Sequence, residues 1–166
     1  HNSSSAASDV YKRQVLTVVN RLFDLVNPTS VVFGKKDAQQ LYLVKEFLAS
    51  KSNNLKIIEA EIIRDEYGLA MSSRNRLLST SGINIARNIF QILENTKEHF
   101  IQNQDIQQSE DFGKKLFNEN TIEYDYLNFV DPKYFETPDS NREKLLLITA
   151  AYVQGIRLID NMEVIQ

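Results

Sequence analysis

The sequence predicts an α/β fold with a parallel sheet, followed by a small α+β lobe built on an antiparallel sheet. Three observations carry that expectation. Residues 30–33 and 55–63 are short runs rich in β-branched side chains, with a segment of helical period between them. Strand, helix and strand of this length imply a crossover between parallel strands. Beyond residue 79 two helical segments follow one another, and the last three apolar runs then read as strands.

The elements can be justified in order. Val15, Val18, Val19, Leu22, Phe23 and Val26 recur at three- and four-residue intervals, the pattern of an amphipathic helix, which Asn27-Pro28 ends. Residues 30–33 form a strand closed by Gly34. A helix over 38–50 presents Leu41, Val44, Phe47 and Leu48 on one face, a polar loop covers 50–54, and 55–63 is the second strand. Ser79 is a candidate N-cap for a long helix over 80–102, whose stripe is Ile83, Ala86, Ile89, Phe90, Leu93 and Phe100. A more polar helix spans 105–118. The strands are placed at 122–130, with Tyr124, Tyr126 and Asn128 on one face, at 144–151 and at 155–162, the last two as a hairpin. Three regions result: a polar, Ser-rich tail over 1–14, an α/β region over 15–77 and an α+β lobe over 78–166.

Composition narrows the function classes. With 166 residues, 42% of them hydrophobic, the chain can bury a sizeable core. A net charge of −3, with cations scattered among acids, argues against nucleic acid as a partner. The absence of cysteine excludes disulfides and thiolate metal sites and fits a reducing compartment. No apolar run approaches the roughly 20 residues that span a bilayer. A cytoplasmic enzyme or module is the simplest class. His99 reads as a polar surface residue, Glu110 and Asp111 as solvated helix charges, and Asp65, Glu66, Glu94 and Asp160 lack the spacing of a metal site.

Two segments invite a chemical reading. In FGKKDAQQ, residues 33–40, Gly34 lets the backbone turn at a strand end, and its amides can approach a phosphate. Lys36 lies between strand and helix, where a flexible ammonium can reach a polyphosphate. Asp37 and Gln40 match a capping box, with the aspartate accepting from helix amides and the glutamine reaching back. In GLAMSSRN, residues 68–75, a helix N-terminus capped by Ser73 is the plain structural alternative.

Together, in this order and spacing, the two segments resemble the pantothenate synthetase family, in which an FGEKDYQQ-like and an SSRN segment line one site. VLTVVNRLFDLVNP, IIRDEYGLAMSSRNRLLS and GIRLIDNMEV extend the likeness over residues 15–164. The resemblance implies a partial Rossmann-like sheet of the HUP nucleotidylyltransferase type, with residues 78–166 as a lid domain. It also implies an ATP-dependent ligase that joins pantoate to β-alanine through a pantoyl adenylate, with Mg²⁺ accompanying ATP, and a cytoplasmic homodimer in the full-length protein. In this scheme Gly34, Lys35, Lys36 and Asp37 hold nucleotide, the Ile63 backbone contacts adenine, Met71 belongs to the ATP-binding loop, and Gln40 orients pantoate. Met71, Ser72, Ser73 and Arg74 resemble a KMSKS-type loop, in which hydroxyls and a cation close over the triphosphate, with Gly68 as its hinge. Lys36, Ser72, Ser73 and Arg74 are the catalytic candidates.

Departures from the family pattern are Lys35 for a usual glutamate, Ala38 for a usual tyrosine, and Tyr67 for an acid or amide. A second cation beside Lys36 favours an anionic ligand. The family's HxGH signature has no counterpart, since the two histidines are His1 and His99. The FxGVxTVV pattern is entered in its middle at Val15, so residues 1–14 read as foreign sequence joined to a truncated frame, and little turnover is expected. A disordered native tail is the alternative. Another adenylate-forming or nucleotidyl-transferring enzyme of the same fold, and a noncatalytic association module, are the rival functions.

Overall fold

The computed structural model describes the backbone of residues 3–51, 55–138 and 144–165, and side chains from residue 14 onward. The expected tail and the expected loop over 50–54 therefore lie partly outside the described residues. The chain forms two compact units, His1–Glu61 and Ile62–Gln166. That division falls ahead of residue 78, because the connecting segment after residue 61 is bound into the second unit by contacts described below.

In the first unit, α1 (Ser3–Val26) precedes β1 (Ser30–Gly34), α2 (Ala38–Ala49) and β2 (Lys56–Ala60). The helix α1 starts well before residue 15, since no glycine or proline interrupts the chain from Ser3 to Val26 and helix propagates cheaply once begun. It ends as expected: Asn27 takes a left-handed φ of 46° and donates its amide to the Phe23 carbonyl, and Pro28 follows. Strands β1 and β2 pair in parallel, Ser30 opposite Lys56 through Gly34 opposite Ala60. Leu41, Val44 and Leu48 of α2 are buried, as the spacing predicts. By contrast Val32 and Ile58 on the strands, and Val18, Leu22, Leu25 and Val26 on α1, are exposed.

The second unit holds most of the core. A 3₁₀ turn (Ser73–Leu77) leads into α3 (Thr80–Asn103) and α4 (Ile106–Glu119). The strands β3 (Glu123–Val130), β4 (Lys144–Val153) and β5 (Ile156–Ile165) form an antiparallel sheet in that order. Ser79 caps α3 by accepting the Gly82 amide at 3.1 Å, as the sequence predicts. Ala86, Ile89, Leu93 and Phe100 of α3 and Phe117 of α4 pack on Leu127, Phe129, Leu147 and Ala151 of the sheet. At the helix crossing Gly113 leaves room for Thr96 and Leu127: a Cβ there would come within 2.3 Å of Thr96 Oγ1.

Three expectations need correcting. Between Tyr124 and Tyr126 the register of β3 shifts, so the strand changes phase at Asp125. Tyr124 therefore faces the core with Leu127 and Phe129, and does not share a face with Tyr126 and Asn128. Glu110 is not solvated: it is buried and accepts the Phe129 amide at 2.8 Å, Asn128 Nδ2 and Lys114 Nζ. His99 is a joint between helices, stacked on Phe112 at 4.4 Å, with Nδ1 3.1 Å from Ser109 Oγ.

Candidate functional site

In the first unit the sequence places its candidates where β1 feeds α2. Gly34 ends the strand opposite Ala60, and the Lys35 amide continues the ladder by donating to the Ala60 carbonyl at 2.8 Å. The backbone demands no glycine here, because Gly34 has no left-handed φ and a Cβ would meet nothing within 4 Å. Open space at this strand end leaves room for a ligand to approach the backbone. Lys35 Nζ is paired with Glu61 at 2.6 Å, which offsets the second cation expected beside Lys36. Lys36 lies half-buried in the turn between strand and helix.

Asp37 caps α2 by accepting the Gln40 amide at 3.1 Å. Gln40 does not complete the box, for its half-buried side chain makes no hydrogen bond among the described residues. A capping role thus accounts for Asp37 and leaves the side-chain amide of Gln40 uncommitted among the described residues.

In the second unit, residues 62–79 hold the other candidates. Asp65 organises a tight turn: its Oδ1 accepts the amides of Tyr67 and Leu69 at 2.9 Å each, and Oδ2 accepts Arg87 Nε at 3.0 Å. Burial works against the carboxylate, but the Leu69 and Tyr67 amides and the Arg87 guanidinium outweigh it and hold the carboxyl below its usual range. Arg87 also lies 3.9 Å over the Tyr67 ring. Gly68 sits where only glycine fits: its φ is 91° and a Cβ would stand 2.0 Å from Phe90 Cδ1. Its carbonyl accepts Arg64 Nη1 at 2.9 Å.

Arg64 anchors this turn to β5. Nη1 and Nη2 reach the two oxygens of Asp160 at 2.6 and 2.9 Å, Nη2 also donates to the Asn161 carbonyl, and the guanidinium lies 4.6 Å over Phe90. Sequence reasoning passed over Arg64, and saw in Asp160 only a failed metal ligand. A charged residue inside the apolar alternation of a strand was the available signal.

After the turn, the Met71 amide donates to the Ile63 carbonyl at 2.8 Å. Ile63 lies beyond the end of β2 and is exposed, so the strand expected over 55–63 stops at Ala60. Ser72, rather than Ser73, caps the 3₁₀ turn, its Oγ accepting the Arg74 amide at 3.2 Å. Ser73, Met71 and Arg74 are exposed, and Arg74 Nη1 donates to the Arg157 carbonyl at 3.0 Å. Asn75 Nδ2 donates to the Ala70 carbonyl, which closes the loop, while its buried Oδ1 has no partner among the described residues. The structure thus gathers Ile63, Met71, Ser72, Ser73 and Arg74 in one unit, and Gly34, Lys35, Lys36, Asp37 and Gln40 in the other. Hydroxyls, an exposed guanidinium and an ammonium are the groups that bind and stabilise phosphate charge. Among the described residues no group of three or more acids or histidines could hold a metal, and no helix is long and apolar enough to cross a membrane.

A sequence model of the Pantoate-beta-alanine ligase family matches residues 3–163. The pantothenate synthetase of Cytophaga hutchinsonii is 36% identical over 155 residues, 91% of this chain and 55% of that protein. That of a Marinomonas species is 37% identical over 90% of this chain and 54% of its own length. A crystal structure of pantothenate synthetase from Thermus thermophilus superposes with a TM-score of 0.85 at 31% identity, covering 92% of this chain and 55% of the other. A Francisella tularensis pantoate-beta-alanine ligase complexed with beta-gamma ATP and beta-alanine gives 0.65 at 28%, over 89% and 48%. The chain spans about half the length of the curated relatives it matches.

Proposed function

Since this chain belongs to the pantoate-beta-alanine ligase family, we propose that its two candidate segments serve the ATP-dependent joining of pantoate to β-alanine. The observation that carries the proposal is the pair of phosphate-suited segments, FGKKDAQQ and GLAMSSRN, both inside the region matched by the family. The nucleotide bound to the Francisella relative supports the same substrate.

In the proposed reaction a carboxylate oxygen of pantoate attacks the α-phosphorus of ATP, and the bond to the bridging oxygen breaks with loss of pyrophosphate. The amine of β-alanine then attacks the acyl carbon, loses a proton, and AMP departs with the electron pair of the C–O bond. Lys36 and Arg74 offset charge that moves onto the phosphates. Ser72 and Ser73 donate hydroxyl hydrogen bonds, and Gly34, Lys35 and Asp37 hold nucleotide. The Ile63 backbone contacts adenine, Met71 belongs to the ATP-binding loop, and the uncommitted side-chain amide of Gln40 orients pantoate. Arg74 must exchange the Arg157 carbonyl for phosphate to take its part. Mg²⁺ fits only as an ion carried mainly by triphosphate oxygens and water, given that no protein cluster for it occurs among the described residues. Action in the cytoplasm, as a homodimer, belongs to the same proposal.

Thermal shift with ATP tests it. A ligand that binds only the folded state at about 100 times its dissociation constant stabilises by about 2.7 kcal/mol. ATP is expected to raise Tm of the wild type, and Lys36→Ala and Arg74→Ala each to show no rise above their own ligand-free Tm. No shift in the wild type, or an equal shift in all three proteins, would sink the assignment. With no HxGH motif among its 166 residues, the chain alone is expected to form little pantothenate.

A further inference from the structure

Gln154 opens the two-residue turn between β4 and β5, with φ of 51°, and Gly155 follows at 75°. Two left-handed residues make the turn that suits the twist of a hairpin, and such a turn favours asparagine or glycine in first place. Glutamine gains nothing there from its backbone. Its side chain supplies a reason. Oε1 accepts the Ser79 amide at 3.0 Å and Nε2 donates to Ser79 Oγ at 2.7 Å. The amide lies across the first turn of α3, where a Cβ on Gly82 would stand 2.4 Å from Oε1. On the other side of the hairpin turn, the Arg157 carbonyl takes Arg74, while the Arg157 guanidinium is held by Asp125 Oδ2 at 2.9 and 3.1 Å. The hairpin tip therefore grips the segment from Ser72 to Ser79 at two points.

We propose that Gln154 is a positioning residue: by clasping Ser79 it fixes one end of this segment, and with it the placement of Ser72, Ser73 and Arg74 for an anionic ligand. The identity of that ligand rests on the nucleotide reading given above, whereas the clasp itself does not.

Gln154→Gly and Gln154→Asn test the role. Both suit the left-handed turn at least as well as glutamine; one removes the amide and the other withdraws it by a methylene. Loss of the clasp is thereby separated from damage to the hairpin. Hydrogen exchange read residue by residue is expected to quicken about tenfold at the Arg74 and Asn75 amides, which bond to Ser72, and to stay unchanged at Leu147 and Leu158 in the sheet. The ATP dissociation constant is expected to rise about threefold to tenfold, as for a coupled site. Unchanged exchange at Arg74 and Asn75 in both variants overturns the proposal. Faster exchange with unaltered ATP affinity also overturns it, since the clasp is then a brace of the fold alone. If the wild type fails to bind ATP, the nucleotide reading falls separately, and exchange decides whether Gln154 holds the segment.

Discussion

Asp160 and Asp65 show how single carboxylates hold the segment that carries half of the candidate site. Asp160 is 5% exposed and paired with Arg64 through two hydrogen bonds. Removing one partner of a buried pair strands the other charge, so Asp160→Ala should cost about 3–5 kcal/mol. Denaturant unfolding measures this, and a loss under about 1 kcal/mol would show that water already screens Arg64. For Asp65 the sign follows from its depressed pKa. A carboxyl whose folded value lies below its unfolded one contributes stability above the unfolded value, about 3.9, and loses it as pH falls through the folded value. The stability gap between wild type and Asp65→Asn should therefore hold steady from pH 7 to about 5 and close below about 4. A gap that persists in acid would mean that the charge contributes nothing. The charge inside the apolar alternation of β5 marked Asp160 as unusual, but its partner was not legible, since Arg64 stands 96 residues away and no local period links them.

Among elements, the regular ones were legible and the irregular ones were not. The stripe of α3, the Ser79 cap, the parallel crossover and the β4–β5 hairpin follow from period and turn chemistry, and the structure carries all four. Asp125 in β3 is different. A single extra residue that shifts a strand's phase leaves the apolar alternation looking continuous, so the two tyrosines were placed on one face. Gly34 and Gly113 were likewise indistinguishable as letters. The structure separates them by space: open at Gly34, and closed by Thr96 and Leu127 at Gly113. Gly113→Ala should cost about 1–3 kcal/mol through overpacking of α3 against α4, whereas Gly34→Ala should change stability by about 0.5 kcal/mol or less. Equal losses in thermal unfolding would remove the distinction.

For the molecule as a whole, packing is uneven. Every buried apolar side chain of the main cluster belongs to the second unit, from Leu69 to Val164, while the described part of the first unit buries Leu41, Val44 and Leu48. Amides of β1 and β2 should accordingly exchange faster than those of β4, by about tenfold or more. Equal protection of the two sheets would contradict that division. The site reading divides in the same way: FGKKDAQQ sits in the thinly packed unit and SSRN in the well-packed one. A last consequence comes from Glu110. By accepting the Phe129 amide on the outer side of β3, this carboxylate occupies a hydrogen-bond donor that a strand from another molecule would otherwise use. One acidic side chain thus takes one pairing position away from the edge of β3.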